Sequence, residues 1–484
     1  MRTVAVDPAG NILVAGLFTG TNSVLTSAGL EDMFLAKYDA AGTLLWTRRA
    51  GGIGYDEARG VATDPSGNIY VGGLFQNTAG FGTTNLTSSG ESDAFLAKYD
   101  PNGTLLWARK AGSADFDEAH SIAVDAQGNV VLTGFIDANA TFGTLTLTNT
   151  SGSDDVFVAK CNSAGTFLWV RKAGGSATND VGNGIALDTN ANVYVTGYFA
   201  DTATFGSTTL TSSNASPDSF LAKYDPSGNF LWARRAGGSS DDAGNAVTVD
   251  VRGNVTVAGR FVAAANFGNT NLAGNGRDIF TARYDSSGNL LWARKAGGNN
   301  AIYGDAGLSI AAEGVTNVVV AGYCSGTANF GTTNVSGVAF NDVFCCKYDG
   351  SGNLLWVRAA GGFDLDIGYA VATDGGGNVC VAGFFGSATI GFGSITLTNG
   401  GGRDTFLAKL GLPLRPALGI SASPSQVVLS WPVAASNFSL EAATNLPPAA
   451  VWVTVPSGSG TVGTNRVLTL PASGPRRFFR LHQQ

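Results

Sequence analysis

Apolar residues along the chain occur in short runs separated by turn residues, and the runs recur about every 62 residues. The first run of each unit surrounds a D-x-x-G-N turn, as in VAVDPAGNILVAG at 4–16 and VATDPSGNIYVGG at 61–73. A second run follows about twenty residues later, as in DMFLAKYD at 32–39, and a third, LLWTRRAGG at 44–52, follows another tight turn. Runs of Val, Ile, Leu, Phe, Tyr and Trp bounded by Gly, Asn, Asp and Ser indicate β-strands. Each unit is therefore predicted to contain two hairpins and four antiparallel strands.

One tryptophan marks the third run in six of the seven units, at intervals of 61, 62, 63, 60 and 64 residues: Trp46, Trp107, Trp169, Trp232, Trp292 and Trp356. The seventh unit ends at DTFLAKLG without this phrase, so one blade has three strands or the missing strand lies upstream of Met1. Self-similarity at a fixed period indicates a repeat architecture. A four-stranded sheet repeated seven times predicts an all-β, seven-bladed β-propeller, because a linear stack would need a capping repeat and none precedes the first unit.

The repeated phrases D-x-x-G-N, D-x-F-L-A-K-Y-D and G-N-L-L-W resemble the bacterial β-propeller repeat family known as SBBP. The resemblance covers residues 3–411. It implies a seven-bladed propeller, and it implies an extracellular or cell-envelope location because members of the family are usually exported. It implies no particular chemistry.

Proline marks a domain boundary, since nine of the 14 prolines lie after residue 411. We predict a propeller at 1–411, a Pro-rich linker at 412–419 and a β-sandwich-like module at 420–484. The last segment resembles the small β-modules that end many exported bacterial proteins. Its matching positions are Trp431–Pro432, Thr444–Leu446, Trp452 and Phe478–Leu481.

The balance of charge excludes several kinds of partner. The net charge of −7 combines +4 after residue 411 with −11 before it, and an acidic body disfavours nucleic acid and anionic membranes. No run of eighteen apolar residues is present, so membrane insertion is not expected. The five cysteines, an odd number without regular spacing, are interpreted as small buried hydrophobes. We expect a monomer.

Residues that recur in every unit are interpreted as packing. The tryptophans are assigned to the core, and the glycine inside each second strand (Gly16, Gly73, Gly134, Gly197, Gly259, Gly322 and Gly383) to close backbone approach between blades. Lys37, Arg48, Asp32 and their repeats are interpreted as charges paired between adjacent strands or blades. A basic channel for anions is the alternative.

A further set of aspartates precedes the first strands, after the A-G-G phrase: Asp56, Asp117, Asp180, Asp242, Asp305 and Asp366. If these loops face one axis, six carboxylates could coordinate a hard cation such as Ca²⁺. Turn capping by Asp explains the same residues without an ion. Capping is the default interpretation, and no other cofactor is indicated.

No catalytic motif is recognisable, because the chain has no G-x-S-x-G elbow, no H-E-x-x-H and no P-loop. His120 stands where other units have Arg59, Asn183 or Tyr369, and it is interpreted as a solvated loop residue. Polar, variable loops such as 76–92 are candidate binding elements. The leading hypothesis is a non-catalytic, exported or cell-surface scaffold that binds polysaccharide or a protein surface. The alternative is a propeller enzyme that cleaves polysaccharide with carboxylates, as a glycoside hydrolase or lyase.

Overall fold

A computed structural model describes residues 1–21, 24–149, 152–175, 179–298, 304–411, 418–423, 425–432, 438–444, 452–455, 459–463, 465–471 and 477–483. The chain divides into two compact units, Met1–Leu410 and Gly411–Gln484. Residues 412–417, most of the predicted linker, lie outside the described residues. Every regular element in the described residues is a β-strand.

Each repeat in Met1–Leu410 contributes successive antiparallel strands to one sheet. The first strands are β1 (Thr3–Val6), β5 (Asp56–Thr63), β11 (Asp117–Val124), β17 (Val181–Leu187), β23 (Ala243–Val249), β27 (Ala306–Glu313) and β31 (Asp366–Thr373). The second strands are β2 (Ile12–Phe18), β6 (Ile69–Phe75), β12 (Val130–Ile136), β18 (Val193–Phe199), β24 (Val255–Asn266), β28 (Asn317–Asn329) and β32 (Val379–Phe385). The third strands are β3 (Asp32–Tyr38), β9 (Asp93–Tyr99), β15 (Asp155–Cys161), β21 (Asp218–Tyr224), β25 (Asn271–Tyr284), β29 (Asn334–Tyr348) and β35 (Asp404–Leu410).

Fourth strands follow in six repeats, and they carry the tryptophans. They are β4 (Leu44–Gly52), β10 (Leu105–Gly112), β16 (Phe167–Gly174), β22 (Phe230–Ala236), β26 (Leu290–Ala296) and β30 (Leu354–Ala360). In the seventh repeat the sheet has only the order β31-β32-β35 among the described residues.

The variable segments between second and third strands were expected to be loops, but the structure folds several of them into short hairpins. These hairpins are β7–β8 (Thr78–Phe81, Thr84–Thr87), β13–β14 (Ala140–Phe142, Leu145–Leu147), β19–β20 (Thr202–Phe205, Thr208–Thr211) and β33–β34 (Thr389–Phe392, Ile395–Thr398). The first three hairpins extend the sheet of the preceding repeat, as in the order β1-β2-β3-β4-β7-β8. Their buried phenylalanines, such as Phe81 and Phe142, explain the recurring F-G pair.

The hydrophobic cores lie between repeats and not within them. One cluster joins Leu13 of the first repeat to Val71 of the second, and the same arrangement recurs along the chain. A seventh cluster joins Val14 of the first repeat to Cys380 of the last. β1 accordingly contacts both β5 and β31, so the first strands form a closed series.

The tryptophans were assigned to the core, and the structure corrects this for most of them. Only Trp169 and Trp292 are buried, whereas the other four are half-buried at the edge of a core cluster. The reason is that the fourth strand is the last of its repeat, and its tryptophan packs against a turn of the next repeat. There the ring covers a glycine with positive φ, as Trp46 covers Gly103.

An arginine two residues after each tryptophan completes this contact, which we call the Trp-Arg clamp. Arg234, for example, stacks 5.2 Å from the centre of the Trp232 ring and donates hydrogen bonds to the carbonyl oxygens of Gly288 and Ser287. The clamps that stack and donate to the next repeat in this way are Trp46-Arg48, Trp107-Arg109, Trp169-Arg171, Trp232-Arg234 and Trp292-Arg294. The Trp-Arg clamp therefore joins neighbouring repeats at their outer edge.

The other repeated charges form ion pairs, as expected, although the partners of the Lys37 and Asp32 series are not each other. Lys37 lies 2.9 Å from Asp7 in the first hairpin of its own repeat, and Lys160 pairs with Asp125 in the same way. Asp32 instead pairs with Arg49 on the fourth strand. Arginines of the Arg48 series donate to backbone carbonyls of the next repeat, which favours packing over the basic channel that was the alternative.

The five cysteines are free and buried, as predicted. In Gly411–Gln484 the described strands form two sheets, with the orders β36-β37-β41-β40 and β39-β38-β42. Their bounds are β36 (Gly419–Ala422), β37 (Gln426–Pro432), β38 (Phe438–Ala443), β39 (Val453–Thr454), β40 (Gly460–Val462), β41 (Asn465–Pro471) and β42 (Phe478–Gln483). Leu429 and Leu440, one from each sheet, belong to a common apolar cluster.

The substitution Arg234→Lys should lower the free energy of unfolding by about 1–2 kcal/mol, because an ammonium cannot reach two carbonyls and stack on the indole together. Chemical denaturation measures this change. Arg358→Lys is the matched control, since Arg358 donates to the carbonyl of its own neighbour, Val357. We expect the control to change stability by less than about 0.5 kcal/mol, and equal losses in both variants would contradict the clamp.

Candidate functional site

The six aspartates proposed as metal ligands are buried at the start of the first strands, and each caps backbone N–H groups around the loop that enters its strand. Asp242 shows the arrangement: one carboxylate oxygen accepts the N–H of Gly238 at 2.6 Å and the other accepts the N–H of Val262 at 2.9 Å. Asp56, Asp180, Asp305 and Asp366 bind a glycine N–H and the end of the second strand in the same way. The caps fix the loop that enters each first strand.

A second carboxylate faces Asp56, Asp180, Asp242 and Asp305 across a glycine. A Cβ atom at Gly237 would collide with Oδ1 of Asp218 and lie 2.9 Å from Oδ2 of Asp242. The Oδ1 atoms of Asp32, Asp93, Asp218 and Asp278 are buried and accept no hydrogen bond from the described residues. A cation on the fourth strand, such as Lys110 beside Asp93, neutralises one charge of each of these pairs.

Burial, with the neighbouring carboxylate, raises the pKa of the capping aspartates. The pKa of Asp56 is raised to about 6, and those of Asp117 and Asp242 to about 7. Backbone hydrogen bonds oppose this shift without cancelling it. Asp56, Asp117 and Asp242 therefore bind a proton more tightly than a free aspartate does.

The six capping aspartates do not converge on one point. Each binds the loop that enters its own first strand, and the described part of the chain contains no cluster of three or more His, Cys, Asp or Glu side chains arranged to hold a metal ion. Two carboxylates with an adjacent Lys or Arg fit a proton better than Ca²⁺, which takes six to eight oxygen ligands. The geometry favours the capping interpretation.

The residues that differ between repeats meet elsewhere, at β-bulges in the first strands. The register of β5 shifts between Ala58 and Gly60, and five further first strands shift at the equivalent place. The bulged residues are Arg59, His120, Asn183, Asn245, Leu308 and Tyr369, and Arg2 occupies the equivalent position before β1. A bulge re-aims a side chain out of the regular alternation. All seven are half-buried, and we call them the bulge ring.

In one half of the bulge ring, Arg2, Arg59 and His120 alternate with two glutamates that precede the bulges, Glu57 and Glu118. Arg2 Nε lies 2.5 Å from Glu57, whose other oxygen is 2.8 Å from Arg59 Nε. Arg59 also lies 2.5 Å from Glu118, and Glu118 bonds His120 Nε2 at 2.9 Å. Although burial opposes it, hydrogen bonding from His120 and the charge of Arg59 hold the pKa of Glu118 below its usual range. This network joins the first strands of three consecutive repeats.

The other half of the bulge ring is neutral. Asn183 donates to the carbonyl of Gly244 at 3.0 Å, and Asn245 donates to that of Gly307 at 2.8 Å. Leu308 and Tyr369 complete it, and the Tyr369 ring lies 4.6 Å below the Arg2 guanidinium. The bulge ring is therefore polar and charged on one side and amide-rich and apolar on the other.

Aromatic side chains border the bulge ring on the second strands. Phe135 lies edge-on to His120 with ring centres 5.6 Å apart, and Phe384 lies 5.7 Å from Tyr369. Tyr198 and Tyr323 occupy the same position in their repeats and are half-buried. Half-exposed aromatic faces beside hydrogen-bonding groups are typical of binding surfaces.

His120 was interpreted as a solvated loop residue, and this was wrong. It lies within β11 at the bulge, with its side chain 16% exposed and bonded to Glu118. The signal was present in the second strands, where glycine faces each bulge: a Cβ at Gly134 would collide with the carbonyl oxygen of Glu118. The sequence analysis assigned these glycines to close approach between blades. The structure shows instead that they accommodate the bulge of their own repeat.

Two segments of the chain match a known repeat family. Residues 45–74 and 168–198 match the SBBP β-propeller repeat. The chain is therefore an all-β protein that contains β-propeller repeats. In the described residues no helix is long and apolar enough to cross a membrane.

Two curated proteins are similar at 26% identity. An uncharacterized WD repeat-containing protein of Acanthamoeba polyphaga mimivirus aligns over 405 residues, 66% of this chain and 29% of that protein. The regulatory protein FlaEY of Caulobacter vibrioides aligns over 333 residues, 64% of this chain and 34% of that protein. The chain spans about a third of the length of these relatives.

Solved structures align with this chain at lower sequence identity than these two proteins. A puromycin hydrolase aligns with 89% of this chain and 58% of its own, at 14% identity and a TM-score of 0.42. Sqt1 from Chaetomium thermophilum aligns with 88% of this chain and 93% of its own, at 12% identity and a TM-score of 0.40.

The aspartate pairs predict that Met1–Leu410 is more stable at pH 5 than at pH 8. A capping aspartate holds its proton more tightly in the folded chain, so its stabilisation is complete below its unfolded pKa, near 4, and is lost as the pH rises through 6–7. Hairpin aspartates with lowered pKa, such as Asp7, whose bonds to Asn11 and Lys37 outweigh its burial, act oppositely and only below about pH 4. Thermal unfolding at both pH values measures the difference.

Asp93→Asn isolates one pair. It removes the charge beside Asp117, while Lys110 retains its bonds to Thr87 and Ser89. We expect the midpoint of the variant to rise at pH 8 relative to the parent protein, by an amount equivalent to about 1 kcal/mol, and its pH dependence to shrink. A variant that is destabilised equally at both pH values would contradict the shared proton.

Metal removal tests the original hypothesis for the capping aspartates. Because two backbone N–H groups already satisfy carboxylates such as Asp242, the thermal midpoint is expected to be the same in 1 mM Ca²⁺ and in EDTA, within about 1 °C. A midpoint that rises with Ca²⁺ and falls in Asp242→Asn would instead establish an ion site.

Proposed function

We propose that this protein is a non-catalytic binding scaffold whose ligand contacts the bulge ring. One observation carries the proposal: the bulge places one variable side chain per repeat in a continuous series, while the residues around it repeat. A repeated position serves packing, whereas a position that varies within a fixed backbone frame serves recognition. Function therefore concentrates where the repeats differ.

The chemistry of the bulge ring supports a polysaccharide or a polar protein surface as the ligand. Asn183, Asn245 and His120 offer hydrogen bonds, and Tyr369, Phe135 and their neighbours offer flat apolar faces. Arg2 and Arg59 are already paired with buried Glu57, so the ring carries no unpaired cationic patch to attract a polyanion. Ligand binding of this kind needs no catalytic residue.

The architecture that we propose for this scaffold is a seven-bladed propeller closed between the last and first repeats. The shared cluster of Val14 and Cys380 and the contact of β1 with β31 support closure. We propose that Gly411–Gln484 is an accessory β-sandwich-like module. The family resemblance supports an exported or cell-envelope location.

Incubation with insoluble peptidoglycan, cellulose and xylan tests the proposal. We expect the protein to be retained on at least one of them without release of reducing ends. The double variant His120→Ala/Tyr369→Ala should reduce retention at least about tenfold, because it removes one hydrogen-bonding group and one aromatic face from the ring.

Leu231→Ser is the matched control, since this residue is 48% exposed on a fourth strand, whereas the bulges lie on the first strands. Retention by the control and loss in the double variant support the bulge ring as the binding face. Release of reducing ends that disappears when one Asp or Glu is replaced would overturn the non-catalytic assignment. Equal retention of all variants would contradict the bulge ring as the ligand site.

A further inference from the structure

The turn at Asp39–Thr43 has the same structure as the turns that receive Trp-Arg clamps. Its Asp39 N–H bonds the carbonyl of Thr43 at 2.9 Å, and the N–H of Gly42 bonds the carbonyl of Asp39 at 3.0 Å. Gly42 has a φ of +90°, close to the +79° of Gly103. The turn is thus preformed in the geometry that a clamp requires.

No clamp occupies this turn in the described residues. At the equivalent glycines Gly103, Gly165, Gly228, Gly288 and Gly352, a Cβ atom would meet the tryptophan of the preceding repeat. At Gly42 nothing lies within 4 Å of such an atom. The repeat that would supply the tryptophan is the seventh, whose described residues include no fourth strand.

The edge of β35 adjoins this turn. Lys409 of β35 donates to the carbonyl of Ala40 at 3.0 Å, just as Lys37 donates to Pro101 and Lys98 to Ser163 in complete repeats. β35 pairs with β32 on one side, and its other edge has no strand beside it in the described residues. Its residues are also more exposed than those of β9, which are all buried between two neighbours.

We propose that the edge of β35 and the turn at Asp39–Thr43 form a binding site for an extended peptide segment of a partner polypeptide with the pattern G-x-L-L-W-x-R. The segment would pair antiparallel with β35, its tryptophan opposite Lys409 and its arginine opposite Leu407, as Trp107 and Arg109 pair with Lys98 and Leu96. The interaction is independent of the bulge ring, which lies on the first strands.

The same contact elsewhere in the molecule defines the occupant. At five other turns a tryptophan covers the glycine and an arginine donates to its carbonyl oxygen. At the turn of Asp39–Thr43 the carbonyl of Gly42 would accept the arginine. Main-chain hydrogen bonds to β35 would provide affinity, and the tryptophan and arginine would provide specificity, as in β-strand addition.

Titration of the whole protein into a fluorescein-labelled peptide, GNLLWARKAGG, tests the site by fluorescence anisotropy. This peptide copies residues 288–298. We expect saturable binding below about 100 μM, with at least about tenfold weaker binding of a peptide in which the positions of Trp292 and Arg294 are alanine. Hydrogen exchange should show the amides of β35 becoming protected when the peptide is bound.

Gly42→Asn and Gly10→Asn form a matched pair of protein variants. Both glycines have positive φ, +90° and +84°, and at both a Cβ would meet nothing within 4 Å, but only Gly42 belongs to the site. Asn tolerates this backbone conformation and places a side chain where the tryptophan would lie. Tenfold loss of binding in Gly42→Asn alone supports the proposal. Equal binding by both variants, equal binding of the alanine peptide, or no binding to the parent protein would overturn it.

Discussion

Every repeat in this protein buries its apolar faces against its neighbours, and this constraint governs the rest of the structure. The cluster that contains Leu13 and Val71, for example, needs strands from two consecutive repeats, so a single repeat has no core of its own. A linear series would leave one apolar face exposed at each end. Contact between the last and first repeats, through Val14 and Cys380, removes both faces at once. Hydrophobic burial thus requires the repeats to return to their start.

Two polar devices hold this arrangement in register. At the outer edge, the Trp-Arg clamp covers a glycine turn of the next repeat and binds its carbonyls, which would otherwise be left without a donor as the indole excludes water. At the start of six first strands, an aspartate caps the incoming loop, and in pairs such as Asp218–Asp242 it faces a second buried carboxylate. The stabilisation from the capping aspartates depends on pH, because burial raises the pKa of Asp117 and Asp242 to about 7.

The sequence predicted much of the fold but little of the site. Short apolar runs and D-x-x-G turns identified the strands and both hairpins of each repeat, because these signals are local. The same signals placed the capping aspartates in loops before strands. They could not show that Asp93 meets Asp117, because the two residues come from different strands and meet only through the pairing of the sheet. His120 was misplaced for a similar reason, since a bulge depends on strand register.

By itself, the sequence determined the period, the number of repeats, the strand order within each and the absence of a fourth-strand phrase after Leu410. All of these follow from spacing and turn chemistry, which act over a few residues. Only the tertiary structure showed which charges pair. It also showed that the tryptophans bind turns of the next repeat and that the variable residues form the bulge ring. It also showed that no tryptophan of the described residues covers the turn at Gly42. These features arise between repeats, where residues about 60 positions apart come into contact. Local sequence patterns do not predict such contacts.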